Sequence, residues 1–341
     1  MIMAIQINYS NSSGTHSGLN VLRTQGLKAY FQHYENNFAA AQVDPDLVEQ
    51  AGQAFSTDIS TQVSAGFLTN PTQQPMAAFS DAQYGGNTSL STGDGSAFIA
   101  EVSDASGLQV GQLAYTLFYN PAHVLFGELD TVYLGDQATL ANASNDLHTM
   151  DLPVVDISNL NSVLNGGIKQ NGLGQWKAID HDEGLVGGTN TDSNSIWYGT
   201  EYGNNDTHNI VYDLMSNHGL VSGAKETAAL QHVLNWSAFD LDHNGTVYNE
   251  VFDGFAGKDT FKVGGGDGDV IRGFDPTQDI VQVTTGYNHS TPADVLANSF
   301  DGNYNGEDGV YVYDDFFGIS NFTFLVGVST TDLSSGNFAI G

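Results

Sequence analysis

The stretch Gln112–Asp130 reads Q-L-A-Y-T-L-F-Y-N-P-A-H-V-L-F-G-E-L-D. Its aromatic and β-branched residues predict two strands, and Pro121 breaks the run between them. Tyr115 and His123 lie on opposite sides of this break. A regular hairpin centred on Pro121 would pair Tyr115 with about Gly127, so a contact between Tyr115 and His123 requires a wider loop. Spacing alone leaves two interpretations open: an ordinary strand aromatic with a turn histidine, or a functional pair.

The composition excludes several classes of protein. The chain has 341 residues, with 39 acidic and 8 basic side chains and a net charge of -31. Repulsion from phosphates argues against binding to nucleic acids and to anionic membrane surfaces. The chain contains no cysteine, which excludes disulfides, thiolate zinc sites and iron–sulfur clusters. No apolar run approaches the roughly 20 residues that span a bilayer, so we expect a protein that is not embedded in a membrane.

The first three quarters of the chain mix strand and helix patterns. Alternation predicts a strand over 5–9, and helical spacing of apolar residues predicts a helix from Leu19 to Phe31, although Gly26 weakens it. Further strands are predicted over 97–102, 108–119 and 124–134, an apolar stretch follows over 152–164, and further helices are predicted over 208–215 and 224–236. Two segments, near 35–80 and 165–207, are polar and rich in small residues.

A shift in composition near Phe255 predicts a domain boundary. Beyond it, short strands alternate with Gly/Asp turns, and no helix pattern of any length is present. The sequence therefore predicts two domains, residues 1–256 and 257–341, of which the second is small and all-β.

The opening motif resembles the signature of the secreted bacterial haem-acquisition proteins, the HasA-type hemophores. The runs Y-T-L-F, N-P-A-H and G-E-L-D carry this resemblance most specifically. It extends to I-N-Y-S-N-S-S-G at the start, A-Q-Y-G-G at 82–86, H-N-I-V-Y-D-L-M at 208–215, and loosely to Leu230–Gly257. The two polar segments would then be insertions. The resemblance implies an α+β fold in which a curved antiparallel sheet packs on helices and two loops hold one haem.

The resemblance assigns the tyrosine ligand of the family to Tyr115 and the histidine that partners it to His123. A phenol titrates near ~10, so an unassisted tyrosine is a poor ligand at neutral pH. A histidine that accepts the phenol's hydrogen bond gives the oxygen phenolate character. An anionic oxygen is a hard donor and favours ferric iron. The expected cofactor is therefore ferric haem b.

The second axial ligand is less well defined by the sequence. The resemblance points to His33, in Y-F-Q-H-Y-E-N-N, where many family members carry a loop histidine. The helical pattern continues toward His33, however, and the following loop is longer than usual. His33 as an iron ligand and His33 as a surface histidine both stay open. Candidates for the wall of the haem pocket are Phe118, His208, Tyr212 and Met215, each of which could equally belong to the core.

Residues 240–250 read D-L-D-H-N-G-T-V-Y-N-E. Asp240, Asp242 and Asn244 occupy positions one, three and five of an EF-hand-like calcium loop, with glycine at six. The closing acid should fall at position twelve, but Glu250 falls at eleven. Calcium is therefore a second candidate ligand, and a polar turn between helices is the alternative.

The tail resembles the C-terminal module of type I secreted proteins, which carry glycine–aspartate calcium repeats. A single degenerate repeat is visible, in V-G-G-G-D-G-D, and the last residues are similar to an uncleaved export signal. This resemblance implies a secreted, extracellular protein, and the stretch Met1–Tyr9 lacks the basic end and apolar core of a cleaved signal peptide.

The expected function is that of an extracellular hemophore, which captures haem and delivers it to an outer-membrane receptor, with host haem proteins as a further candidate source. No zinc-protease signature, nucleophile elbow or phosphate loop is present, so we do not expect an enzyme. The alternative is a calcium-dependent secreted adhesin or carbohydrate-binding protein built on the same tail.

Overall fold

The computed structural model describes residues 4–37, 129–142, 147–160, 227–263, 268–283, 290–313 and 322–341, with short strands and single residues between 63 and 214. The described helices are α1 (Ser17–Gln25), α2 (Leu27–Asn37), α3 (Ala228–Leu234) and α4 (Pro292–Ala297). The strands are β1 (Ile5–Tyr9), β2 (Val63–Ser64), β3 (Phe67–Leu68), β4 (Met76–Phe79), β5 (Ala97–Glu101), β6 (Phe118–Tyr119), β7 (Leu125–Phe126), β8 (Thr131–Asn142), β9 (Leu147–Ser158), β10 (Ile168–Gln170), β11 (Trp176–Ala178), β12 (Leu241–Asn244), β13 (Val251–Asp253), β14 (Asp259–Val263), β15 (Asp269–Arg272), β16 (Ile280–Val283), β17 (Phe300–Tyr304), β18 (Glu307–Tyr313), β19 (Phe322–Val326) and β20 (Phe338–Ile340).

Strand β1 lies at the centre of a nine-stranded sheet in the order β20-β16-β14-β12-β1-β9-β8-β5-β4. The alternating pattern predicted this strand, and Ile5, Ile7 and Tyr9 are indeed its buried residues. On one side, β1 is antiparallel to β9. On the other it is parallel to β12, which begins a run of parallel strands. The α+β class is confirmed, but the predicted antiparallel sheet accounts for only half of this mixed sheet.

Parallel strands from residues 240–341 form two facing sheets, and we call this region the roll. Strands β12, β14, β16 and β20 belong to the large sheet, while β13 and β15 run parallel to β19 in a second, five-stranded sheet. The chain crosses between the sheets from β12 to β13 and again from β14 to β15. Aromatic rings fill the space between them: the ring centroid of Phe261 lies 4.7 Å from that of His243 and 6.1 Å from that of Phe252.

Two turns of the roll are built in the same way, over Gly254–Asp259 and Gly273–Asp279. In each turn the last residue is a buried aspartate whose carboxylate accepts a backbone N–H from four residues earlier: Phe255 N donates to Asp259 over 2.6 Å, and Asp275 N to Asp279 over 2.8 Å. The two glycines lie against each other, because a Cβ on Gly254 would come within 2.5 Å of the Gly273 carbonyl oxygen. The turns therefore stack directly.

Gly26 divides the predicted N-terminal helix into α1 and α2. Its φ of +95° is a conformation that glycine adopts readily, and a side chain there would collide with the carboxylate of Asp253. That carboxylate accepts the N–H of Lys28, in the first turn of α2, over 2.8 Å. Asp253 thus satisfies one of the donors that a helix start leaves unpaired and fixes α2 to β13.

The tail contains the short strands that the sequence predicts, β14 and β19 among them, but the prediction of an all-β tail is not confirmed. Helix α4 begins at Pro292 after the N-cap residue Thr291, whose hydroxyl accepts the N–H of Asp294. Two 3-10 turns follow at Thr330–Asp332 and Ser335–Asn337. These elements were not predicted, because each is shorter than two helical turns and its sequence shows little helical periodicity.

The division into domains 1–256 and 257–341 stays a prediction. The proposed boundary falls between β13 and β14, and the sheet that contains β1 also contains β14, β16 and β20. Within the described ranges, no helix is long and apolar enough to cross a membrane.

We expect Phe261→Ala to lower the free energy of unfolding by about 3–5 kcal/mol, because the ring is fully buried between the two sheets of the roll. Phe300→Ala is the matched control, since Phe300 is 49% exposed and should cost about 1–2 kcal/mol. Urea unfolding followed by circular dichroism measures both values. Equal losses would contradict the packing described here.

Candidate functional site

His33 is the predicted site residue whose surroundings the structure describes. Tyr115, His123, His208, Tyr212 and Met215 lie outside the described residues, and so does the side chain of Phe118. Phe118 is nonetheless in strand β6, paired with Phe126 of β7. The strand pair predicted on either side of Pro121 is therefore present in its central residues, and residues 120–124, which include His123, connect β6 to β7.

His33 lies in helix α2 and not on a loop, contrary to the pattern in the family that the sequence resembles. Its side chain is 16% exposed, and its Nε2 atom faces Oδ1 of Asp136 at 4.0 Å. Its ring is stacked on Tyr30, with 6.2 Å between the ring centroids. The helix continues to Asn37 because Tyr30, Phe31 and Tyr34 form a buried face at helical spacing.

Asp136 of β8 is the centre of a buried polar cluster. Its Oδ2 accepts the backbone N–H of Gly18 over 2.6 Å and lies 2.7 Å from Nδ1 of His16. The hydroxyl of Ser17 lies 3.4 Å away. Since α1 begins at Ser17, this carboxylate acts as an N-cap that is supplied by a distant strand, and its negative charge is favourable at the helix start.

Gly18 allows this approach, because a Cβ at this position would collide with the Asp136 carboxylate. Neither Asp136 nor His16 was predicted to be a site residue. The two residues are 120 positions apart, and neither belongs to a recognisable local motif, so no signal in a single sequence connects them.

Tyr30 completes the cluster. Burial and the charge of Asp136 raise the pKa of its phenol well above the usual value. Among the described residues, no hydrogen-bond partner reaches the Tyr30 hydroxyl or Nε2 of His16. Tyr34, one helical turn further on, donates from its hydroxyl to the carbonyl of Leu214 over 3.2 Å. Helix α2 therefore contacts the chain at Leu214, and Ile210 and Leu214 are helical and fully buried.

The calcium loop predicted over 240–250 is not formed as an EF-hand. Residues Leu241–Asn244 are strand β12, so Asp242 and Asn244 project from one face of a sheet. Asp242 pairs with Lys262 at 2.9 Å, and Asn244 donates to Gln6 and Asn8. Glu250 is buried and bonds to the backbone and the hydroxyl of Thr246. Among the described residues, no group of three or more histidine or acidic side chains is placed to hold a metal ion.

An open cavity of about 470 Å³ lies between α2 and α3. Its lining includes Lys28, Gln32, Glu35 and Gln231, with Phe255 as an apolar contributor. A porphyrin face requires a predominantly apolar and aromatic wall. Among the described residues, the lining of this cavity is not predominantly apolar.

The comparisons with known proteins point to one class, the haem-binding HasA proteins. The family model of heme-binding protein A (HasA) matches residues 69–192, a range that contains both Tyr115 and His123. The hemophore HasA of Serratia marcescens is 30% identical over 143 residues, which are 42% of this chain and 52% of that protein. The resemblance to HasA-type hemophores is thereby confirmed, and the chain spans about half the length of this curated relative.

Solved HasA structures are also similar to parts of this chain. A HasA mutant monomer from Yersinia pseudotuberculosis is 14% identical, with 68% of this chain and 88% of that chain covered and a TM-score of 0.31. The holo hemophore HasA from Yersinia pestis is 17% identical, with 50% and 71% covered and a TM-score of 0.26. These scores are low, and the fold described above is drawn from the strands and helices of this chain.

We expect Asp136→Ala to destabilise the protein by about 2–4 kcal/mol, because the buried N–H of Gly18 and the ring of His16 lose their acceptor. Asp308→Ala is the control, since Asp308 is exposed and its removal should stay within about 0.5 kcal/mol. Thermal unfolding of both variants measures the difference. A loss no larger than that of the control would mean that Asp136 does not cap α1.

Proposed function

We propose that this protein is a secreted hemophore that binds one ferric haem through Tyr115. The observation that carries the proposal is the HasA family match over residues 69–192, the segment in which the Y-T-L-F and N-P-A-H runs lie. The relative from Serratia marcescens is itself a hemophore by name. The function proposed here is one of binding and transport, not catalysis.

The chemistry of Tyr115 and His123 supports ferric haem as the ligand. A histidine that accepts the phenolic proton lowers the cost of forming phenolate at neutral pH. The anionic oxygen then favours ferric over ferrous iron, which suits capture under oxidising conditions outside a cell. Protonation of the pair at low pH would weaken the iron–oxygen bond and release the haem. Haem would then pass to an outer-membrane receptor.

The pocket wall is proposed to include Phe118, His208, Tyr212 and Met215. Support comes from the spacing around 208–215. Ile210 and Leu214 are fully buried. At 3.6 residues per turn, a helix over 208–215 would place His208, Tyr212 and Met215 on a different face from these two, and we propose that this face contacts the haem.

His33 is the proposed second ligand, and its position defines what ligation requires. The Nε2 atom faces the buried carboxylate of Asp136 at 4.0 Å, so Nε2 can bind iron only after the side chain turns away from Asp136. Haem bound by Tyr115 alone is the alternative. The two forms differ in the spin state of the iron, because a second strong axial ligand favours the low-spin form.

Export by a type I system belongs to the same proposal and rests on the resemblance of residues 257–341 to the tails of such exported proteins. An adhesin or carbohydrate-binding protein with this tail would bind no haem. A hemin titration therefore separates the two functions.

We expect stoichiometric hemin to give a sharp ferric Soret band, and Tyr115→Phe to weaken binding by more than the roughly 10- to 100-fold that loss of a hydrogen-bond partner to a metal ligand costs. His123→Ala should cost about that 10- to 100-fold. Tyr304→Phe, in β17, is the matched control and should bind as the wild type does. No spectral change on adding hemin would refute the hemophore function.

We expect His33→Ala to convert the bound haem toward the high-spin form and to lower affinity less than Tyr115→Phe does. His232→Ala is the control, because His232 is an exposed histidine at the end of α3. Visible and electron paramagnetic resonance spectra report the spin state. A spectrum that His33→Ala leaves unchanged would assign Tyr115 as the sole protein ligand.

A further inference from the structure

Two aspartates of the roll, Asp259 and Asp279, form a buried carboxylate pair that the haem function does not use. Each side chain is 0% exposed. Asp259 begins β14, and Asp279 immediately precedes β16, so the two residues lie next to each other in successive coils. Oδ1 of Asp279 accepts the backbone N–H of Asp259 over 2.9 Å, while its Oδ2 accepts that of Asp275 over 2.8 Å.

The bond from Asp259 N to Asp279 exists only when the coils are stacked. Asp259 and Asp279 are 20 positions apart, and the parallel pairing of β14 with β16 brings them together. In the unfolded chain each carboxylate is hydrated and isolated. Stacking therefore removes two like charges from water and places them side by side.

The titratable groups that face the pair are one histidine, at ion-pair distance from Asp259, and further carboxylates. From β12, Nε2 of His243 lies 3.7 Å from Oδ1 of Asp259. This is beyond hydrogen-bonding distance, and among the described residues neither ring nitrogen of His243 has a hydrogen-bond partner. The turn before Asp279 contributes the carboxylate of Asp275, another negative charge that raises the pKa of Asp279.

The neighbouring strands add further negative charge. Burial raises the pKa of the phenol of Tyr9, in β1, and the negative charges of Asp253 and Asp259 raise it further. Lys28 is held elsewhere, by the Gly254 carbonyl at 2.8 Å and over the ring of Phe255. Lys258, which directly precedes Asp259 in the chain, is exposed. Among the described residues, no ion pair within 4.0 Å joins a lysine or arginine side chain to either carboxylate of the pair, since the pairs of that kind are Lys262–Asp242 and Arg272–Glu307.

We propose that the roll is a proton-linked fold, in which Asp279, buried beside Asp259, takes up a proton as its coils stack, so that mild acid stabilises the folded roll. That proton removes one buried charge, and a carboxylic acid can still accept a backbone N–H through its carbonyl oxygen. Higher pH leaves the buried charge of Asp279 in place and weakens the stacking.

The pKa of Asp279 agrees with this geometry. Burial, and then the charges of Asp259 and Asp275, raise it from 3.8 to about 7, against the opposing effect of its two backbone hydrogen bonds. A pKa that is raised in the folded state gives stability that is fully present below the unfolded value and is lost as the pH rises through the folded value. The pH window is therefore about 4 to 7, and within it stability falls as pH rises.

The test compares the full-length wild type with Asp279→Asn by urea unfolding at several pH values from about 4.5 to 8. Hydrogen exchange of peptides from 255–283 shows whether the roll is the part that unfolds. The asparagine variant has no ionisable group at position 279, so it does not lose the stability that the wild type loses as Asp279 gives up its proton. The ratio of its unfolding constant to that of the wild type should therefore fall roughly 10²- to 10³-fold across this range.

Asp301→Asn is the matched control of opposite sign. Asp301 is an exposed aspartate whose pKa is lowered, chiefly by the backbone N–H of Thr330 and then by the hydroxyl of Thr330. Its stabilising contribution is present above the unfolded pKa and lost in acid. The corresponding ratio for Asp301→Asn should therefore not fall as the pH rises.

A direct measurement on the wild type covers the case in which Asp279→Asn does not fold. The infrared C=O stretching band of protonated carboxylic acid should be present in the folded protein at pH 6 and vanish on unfolding at the same pH. Glu250 and Asp269, whose pKa values burial also raises, add to the same band, so its absence is the decisive outcome. Absence of this band, or an unfolding ratio for Asp279→Asn that does not change with pH, would overturn the proposal. Both readouts are made without haem, so they are independent of whether the protein is a hemophore.

Discussion

Buried carboxylates that accept backbone N–H groups hold this structure together. Asp136 caps α1 from strand β8, and Asp253 receives the first turn of α2 from strand β13. Asp259 and Asp279 close equivalent turns of the roll. Helix starts and tight turns leave N–H groups without partners, and a charged acceptor satisfies them more strongly than a neutral one. Each of these carboxylates also carries a desolvation cost, which the hydrogen bonds from backbone N–H groups offset in part.

The sequence predicts the strands well where burial alternates, and fails where the same residues suit two structures. The pattern Asp-x-Asp-x-Asn at 240–244 has the spacing of an EF-hand loop, and it is also the polar half of a strand. Leu241 and His243 are buried, while Asp242 and Asn244 are partly exposed. The segment forms a strand, in which buried and exposed residues alternate, because pairing with β1 and β14 gives its backbone N–H and C=O groups hydrogen-bond partners. A single sequence does not show those partners.

Contacts between distant residues account for the rest of what the sequence could not predict. Tyr115 and His123 are recognisable because they lie in one short motif with a family resemblance. His16, Asp136 and His33 come from three separate elements, and their meeting depends on how α1 and α2 dock on β8. The break at Gly26 has the same origin, since the close approach of Asp253 makes a glycine necessary there. The position of His33 on a helix links the proposed haem site to this docking, because any movement of His33 toward iron has to begin beside Asp136.

The central place of β1 decides where this chain can be divided. Residues 5–9 pair with residues 155–158 on one side and 241–244 on the other, so the first strand of the chain completes a sheet whose remaining strands come from its middle and its end. A cut after residue 256 would keep β12 but remove β14, its other neighbour. An interior strand would then become an open edge with a row of unpaired N–H and C=O groups, which is a template for self-association. A fragment of residues 1–256, the first predicted domain, is therefore expected to self-associate more readily than the chain of 341 residues.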